Sequence, residues 1–157
     1  MAINRDNKYL AERIEYLWEE YFSDCPRLNE IKIKFGPKCF IRLGSIRSCN
    51  HKDDNSFDTL ILVNGHYKNP IIPSYVIDAT IVHELVHYIH GVSSPLPAKS
   101  KFPHRCGAVD KEFKKRNLEE LATLENNWLK KYWPTAQSKL KQGPKVSLAE
   151  FYNSIGP

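Results

Sequence analysis

The most constraining feature of this chain is an apolar segment that carries two histidines and a glutamate at fixed spacing. Residues 83–87 read His-Glu-Leu-Val-His, and positions 77, 81, 82, 85, 86 and 89 are all isoleucine, valine or leucine. Apolar residues at this density predict a buried helix. Two imidazoles and a carboxylate in such a helix need polar partners, because burying an unpaired polar group is costly.

A metal ion is the partner that this spacing favours. Residues four apart lie on one face of a helix, so His83 and His87 can both offer a ring nitrogen to one ion. Glu84 falls beside that ion, where it can accept a proton from water that the metal has made more acidic. A chance match on a surface helix is the alternative, and the apolar flanks count against it. We therefore predict a hydrolytic Zn²⁺ site with His83 and His87 as ligands and Glu84 as general base.

A catalytic zinc usually takes three protein ligands and keeps a fourth position for water. His104 is our first choice for the third ligand, because it ends a proline-rich loop that can fold back over the helix. Asp110 is an alternative, although it could instead cap the N-terminus of the next helix. The remaining alternatives are three glutamates of that next helix, Glu112, Glu119 and Glu120.

The other histidines and the cysteines have simpler interpretations. His90 shares the helix face of His83 and His87, but three successive turns span about 10 Å and cannot all reach one ion. The position of His90 is compatible with a contact that orients the ligands without binding the metal itself. His51 and His66 fall in predicted loops and are interpreted as surface histidines. The cysteines are widely spaced and are expected to be free thiols: Cys25, Cys39, Cys49 and Cys106.

The chain as a whole is compatible with one domain of ordinary size. It has 157 residues, of which 41% are hydrophobic and 26% are charged, a composition typical of globular proteins. No stretch approaches the ~20 apolar residues of a membrane span, and the N-terminus has no apolar core for a signal peptide. We expect a cytoplasmic protein without membrane association.

The charge balance is mildly basic, with a net charge of +5 and a pI of about 9.0. That balance is compatible with visiting an acidic surface such as nucleic acid, but it does not require one. The lysines favour the C-terminal half of the chain. A solvated helix face followed by a tail explains them equally well.

Apolar periodicity divides the chain into helical and extended segments. Helical periods cover three segments, at about residues 7–22, 74–90 and 109–133, and Pro134 ends the last one. Strands are predicted at residues 31–35, 40–46 and 59–63. This order predicts an α+β fold in which helices pack on a small antiparallel three-stranded sheet, with the HExxH segment on the central helix.

Three parts of this pattern resemble the SprT-like zinc metallopeptidases, over about residues 10–133. Residues 42–46 (Arg-Leu-Gly-Ser-Ile) are similar to an Arg/Leu-Gly segment of that family. Residues 60–64 lead through a proline-containing turn into the HExxH helix, and His104 precedes a helix with Phe113. Family members often carry a histidine four residues before this aromatic residue, where this chain has Val109. His104 is therefore supported by its loop position, and Asp110 stays an alternative.

The resemblance implies a zincin-like metallopeptidase domain over residues 1–134, followed by a basic C-terminal tail over residues 135–157. It implies Zn²⁺ as cofactor and protein or peptide substrates, with DNA-associated proteins among them. The C-terminal zinc ribbon of some members has no counterpart in this sequence. The alternative function is that of a non-catalytic zinc-binding regulatory or nucleic-acid-binding protein that retains the zincin fold.

Overall fold

The structure is a computed structural model that describes residues 3–99, 107–143 and 146–155. Its strands are β1 (Ile31–Phe35), β2 (Gly44–Asn50) and β3 (Phe57–Val63). Its helices are α1 (Asn7–Tyr21), α2 (Ser74–Ile89), α3 (Ala108–Lys115), α4 (Glu119–Lys131), α5 (Trp133–Gln142) and α6 (Leu148–Ile155), with a short 3-10 helix at Gly65–Lys68. Within the described ranges, no helix is long and apolar enough to cross a bilayer.

The three strands form a mixed sheet with β3 in the centre. β3 runs parallel to β1 and antiparallel to β2. The predicted α+β class is confirmed, but the prediction of a wholly antiparallel sheet is wrong. β3 is the most apolar strand, and the central position buries most of its residues. β1 and β2 carry lysine, arginine and serine, which edge strands accommodate because they face solvent.

The second strand lies further along the chain than the sequence indicated. It was predicted over residues 40–46 and forms at Gly44–Asn50. Its register pairs Ile46 with Ile61 and Arg47 with Leu60. The second half of β2 is polar and largely exposed, so it lacks the apolar alternation from which a strand is predicted.

Helix α2 is the central helix of the fold. Of its 16 residues, 12 are buried, because α1, α3, α4 and the strands β2 and β3 all contact it. The first helix packs one face against this core, and its N-terminus is capped by the Asp6 carboxylate, which accepts a hydrogen bond from Tyr9 N at 2.9 Å. Both helices match their predicted ranges to within one residue.

The predicted helix over residues 109–133 is two helices, which corrects that prediction. Helix α3 ends at Lys115, and Asn117 adopts a left-handed conformation with φ of 60°. The Leu118 N–H then donates to the Phe113 carbonyl at 2.8 Å, which closes the end of α3. Asparagine tolerates this conformation better than most residues. The apolar period continues across the break, so periodicity alone did not reveal it.

The C-terminal segment packs back onto the fold. Helix α5 runs across residue 134, and Pro134 lies in its first turn rather than ending a helix, a position where proline needs no N–H partner. In α6, Phe151 is fully buried. The Tyr152 hydroxyl donates to the Ile71 carbonyl at 3.1 Å and accepts from Trp128 Nε1 at 3.2 Å. The sequence left open whether this segment docks, and in the structure it does.

Candidate metal centre

His83 and His87 point their rings at each other from successive turns of α2. Their Nε2 atoms lie 3.0 Å apart, and the ring planes are inclined by 77°. Two imidazole nitrogens at about 2.0–2.1 Å from one tetrahedral zinc ion would be about 3.3 Å apart. The two donors converge to nearly this spacing, so this residue pair fits the predicted ion.

Glu84 is buried beside this pair, with only 5% of its surface exposed. Burial raises the pKa of Glu84 to about 7, and the charge of Arg42 opposes that rise. Strand β2 begins directly over this carboxylate. A Cβ atom on Gly44 would lie 3.0 Å from Glu84 Oε1 and 2.7 Å from Thr80 Cγ2. Glycine at this position therefore lets the edge strand approach the HExxH face of α2.

A partly buried carboxylate on α4, Glu125, was not anticipated from the sequence. It extends from α4 towards α2, where its Oε2 atom lies 3.4 Å from Thr80 Oγ1. Burial also raises the pKa of Glu125 to about 7. A sequence signal did exist, because Glu125 lies four residues after Leu121 and three before Trp128, on the apolar face of α4. A glutamate in such a stripe has to face the core.

Beyond the C-terminal end of the HExxH segment, His90 contacts a network of polar and charged side chains. His90 Nε2 lies 3.2 Å from Glu112 Oε1, and Glu112 Oε2 lies 3.8 Å from Arg116 Nε. Arg116 continues the network to Asp24 at 2.7 Å. The network joins the ends of α1, α2 and α3, and it occupies the Glu112 carboxylate that the sequence had offered as a ligand.

The predicted third ligands have different outcomes. His104 lies outside the described residues, as does Cys106. Asp110 is exposed in the first turn of α3, and Gly107 holds the N-cap position, so the N-cap interpretation of Asp110 is wrong. Two further candidates, Glu119 and Glu120, are exposed at the start of α4. Within the described ranges, no group of three or more metal-ligating side chains comes together.

The two remaining described histidines differ in their environment. His66 is only 8% exposed and stacks on Phe40 with ring centroids 4.3 Å apart, so its surface interpretation is wrong. Burial lowers the pKa of His66. His51 is exposed, and its Nε2 lies 2.8 Å from Asp58 Oδ1. The cysteines that the structure describes are free thiols, as predicted: Cys25, Cys39 and Cys49.

The structure contains a cleft of about 850 Å³ at the three-stranded sheet. The start of β2, the loop over residues 36–43 and the C-terminal ends of β1 and β3 line it. Gly44 belongs both to this lining and to the contact with Glu84. The described lining of a smaller pocket of about 240 Å³ comes from α5, α6 and the residues between them. Lys34 and Leu62 pair on the sheet face opposite to the one on which Gly44 meets Glu84, and none of the three HExxH side chains is among the described lining residues of the large cleft.

Comparisons of the chain with family models, with curated proteins and with solved structures found no match. The chemistry of the centre has to be argued from its own side chains. These are two convergent imidazoles, a buried carboxylate between them in sequence, and a glycine that brings an edge strand over that carboxylate.

Proposed function

We propose that this protein is a zinc-dependent metallopeptidase of the HExxH type that hydrolyses peptide bonds of protein substrates. One observation carries the proposal. The Nε2 atoms of His83 and His87 converge to 3.0 Å on the same helix that buries the Glu84 carboxylate. A purely structural zinc site needs the histidines but has no use for a carboxylate placed between them.

In this proposal His83 and His87 hold the ion, and His104 is the third ligand. When bound, zinc supplies Lewis acidity towards the scissile carbonyl and makes water more acidic. The two histidines act in their neutral forms, because a ring nitrogen must be free of its proton to serve as a ligand. Asp110 is the alternative third ligand.

Glu84 acts as the general base and then as the general acid. It takes a proton from the attacking water and delivers that proton to the leaving amine. Its burial helps, because a carboxylate shielded from solvent accepts a proton more readily than an exposed one. Gly44 keeps the strand close to Glu84 without a side chain that would displace the carboxylate.

The edge of β2 supports a peptide as the substrate. β2 pairs only with β3 in the part of the chain that the structure describes, so its other edge has backbone groups available for an added strand. An extended peptide can bind such an edge through main-chain hydrogen bonds. Because β2 starts over Glu84, a peptide bound there would pass close to the general base. The resemblance to SprT-like peptidases extends this proposal to DNA-associated proteins, with which a net charge of +5 is compatible.

The test is cleavage of an unfolded, fluorescently labelled protein by the full-length chain and by Glu84→Gln. We expect Glu84→Gln to keep its zinc and to lose at least about 100-fold in cleavage rate, as the removal of a general base does. Glu19→Gln, at an exposed position on α1, makes the same chemical change and should cleave like the wild type. A fully active Glu84→Gln variant would end the proposal. An inactive wild type that still carries zinc would favour the non-catalytic alternative.

A further inference from the structure

The lining of the large cleft is positively charged and otherwise mostly apolar. Among the residues that the structure describes, it includes Lys34, Arg42 and Arg47, and no aspartate or glutamate. Lys34 of β1 pairs with Leu62 of the central strand β3. Arg47 of β2 pairs with Leu60, two residues before Leu62 on the same face of β3. Lys34 and Arg47 therefore lie on the same face of the sheet, on either side of its central strand.

The three cations of this lining have their charges in contact with solvent. All three are exposed, and none of them forms an ion pair within the described ranges. Lys32, on the same face, offers the contrast because its Nζ lies 3.0 Å from Asp58 Oδ2. A cleft that gathers charges of one sign above an apolar floor attracts ligands of the opposite sign.

We propose that this cleft binds extended peptide segments that carry acidic side chains, so that the substrate class is acidic, unfolded protein segments. This inference rests on the proposed peptidase function, because a peptide added to the edge of β2 would reach this cleft and pass close to Glu84. The edge of β2 supplies main-chain hydrogen bonds, and the three cations select aspartate and glutamate side chains along the bound segment.

The lining favours a peptide over a single-stranded nucleic acid, which would also be attracted by the cations. Proteins that bind single strands usually stack bases on exposed aromatic rings. Phe35 is the one aromatic residue among the described residues that line the cleft, and only 9% of its surface is exposed. A strand edge offers alternating N–H and C=O groups, which match a peptide backbone and not a sugar-phosphate chain.

The test is binding of two labelled peptides of the same length and sequence, one with glutamates and the other with glutamines at the same positions. Fluorescence anisotropy with full-length Glu84→Gln measures affinity without turnover. We expect the glutamate peptide to bind at least about 10-fold more tightly at low salt, with the difference shrinking as salt is added. Because the readout is binding, an absent peptidase activity would leave this result unaffected, and the two proposals can fail separately.

Charge-matched variants decide whether the cleft is responsible. Replacement of Lys34, Arg42 and Arg47 by glutamine should abolish the preference for the glutamate peptide. The control replaces three exposed lysines outside the cleft by glutamine, which removes the same charge and should keep the preference: Lys52, Lys114 and Lys130. The single variants Lys34→Gln and Arg47→Gln serve if the triple variant does not fold, and each should reduce the preference.

Three results would overturn the inference. The first is equal binding of the two peptides by the unaltered cleft. The second is an equal loss in the cleft and control variants, because the preference would then follow net charge alone. The third is a single-stranded oligonucleotide that binds more tightly than the glutamate peptide and depends on the same three cations, because the cleft would then be a nucleic-acid site.

Discussion

At the scale of single residues, Gly44 determines how closely the edge strand approaches the candidate centre. The Cβ atom of any other residue at this position would lie 2.7 Å from Thr80 Cγ2 and 3.0 Å from Glu84 Oε1. Contacts of this length require either the strand or the helix to move. The position of the Glu84 carboxylate on α2 therefore depends on the absence of a side chain at Gly44 of β2.

Gly44→Ala should therefore impair both stability and function. We expect a loss of about 1–3 kcal/mol in the free energy of unfolding, the usual cost of overpacking, together with a lower cleavage rate because Glu84 is displaced. Urea denaturation and the cleavage assay measure the two effects. Gly143→Ala is the control, since a Cβ atom there has no neighbour within 4 Å. Equal behaviour of the two variants would show that the close approach at Gly44 is not limiting.

At the scale of elements, α4 places the Glu125 carboxylate in its contact with α2, where most packed helices have an apolar side chain. The folded protein holds the proton of Glu125 up to about pH 7, whereas an unfolded chain releases it near pH 4.3. The stability that this proton contributes is complete below the unfolded pKa. It is lost as the pH rises through the folded pKa, because the partly buried carboxylate must then be ionised.

Glu125→Gln should remove this pH dependence while keeping the shape of the side chain. In the presence of a chelator, we expect wild type and variant to have similar stability at pH 5. At pH 8 the variant should be more stable, by on the order of 1–3 kcal/mol. Thermal or urea denaturation at both pH values measures the difference. Glu119→Gln, exposed on the same helix, should change little at either pH, and a gain from Glu125→Gln that is the same at both pH values would contradict the prediction.

The elements that could be predicted from the sequence are those with a local signal. β1 alternates apolar and charged residues, and α2 has apolar residues at most of its positions, so both were predicted with accurate bounds. Strand pairing has no such signal, because the parallel pairing of β1 with β3 depends on residues 28 positions apart, such as Ile31 and Thr59. The break between α3 and α4 at Asn117 was not predicted either, because one residue in the left-handed conformation leaves the apolar period intact.

At the scale of the whole molecule, α1, the sheet and the C-terminal helices surround one buried helix that carries the candidate centre. Spacing alone predicted His83, Glu84 and His87, and the structure places them together on that helix. The cleft could not be predicted, because it is assembled from three strands and a loop whose pairing the sequence did not give. Its cations, Lys34, Arg42 and Arg47, are scattered along the chain and meet only in the fold.

The central claim is that His83 and His87 hold one zinc ion, and metal content per chain tests it most directly. The full-length protein, purified without added metal, should carry close to one zinc. His83→Ala and His104→Ala should lose that zinc, whereas Asp110→Ala and the control His51→Ala should retain it. A wild type without zinc, or a His83→Ala variant that keeps a full equivalent, would contradict the account.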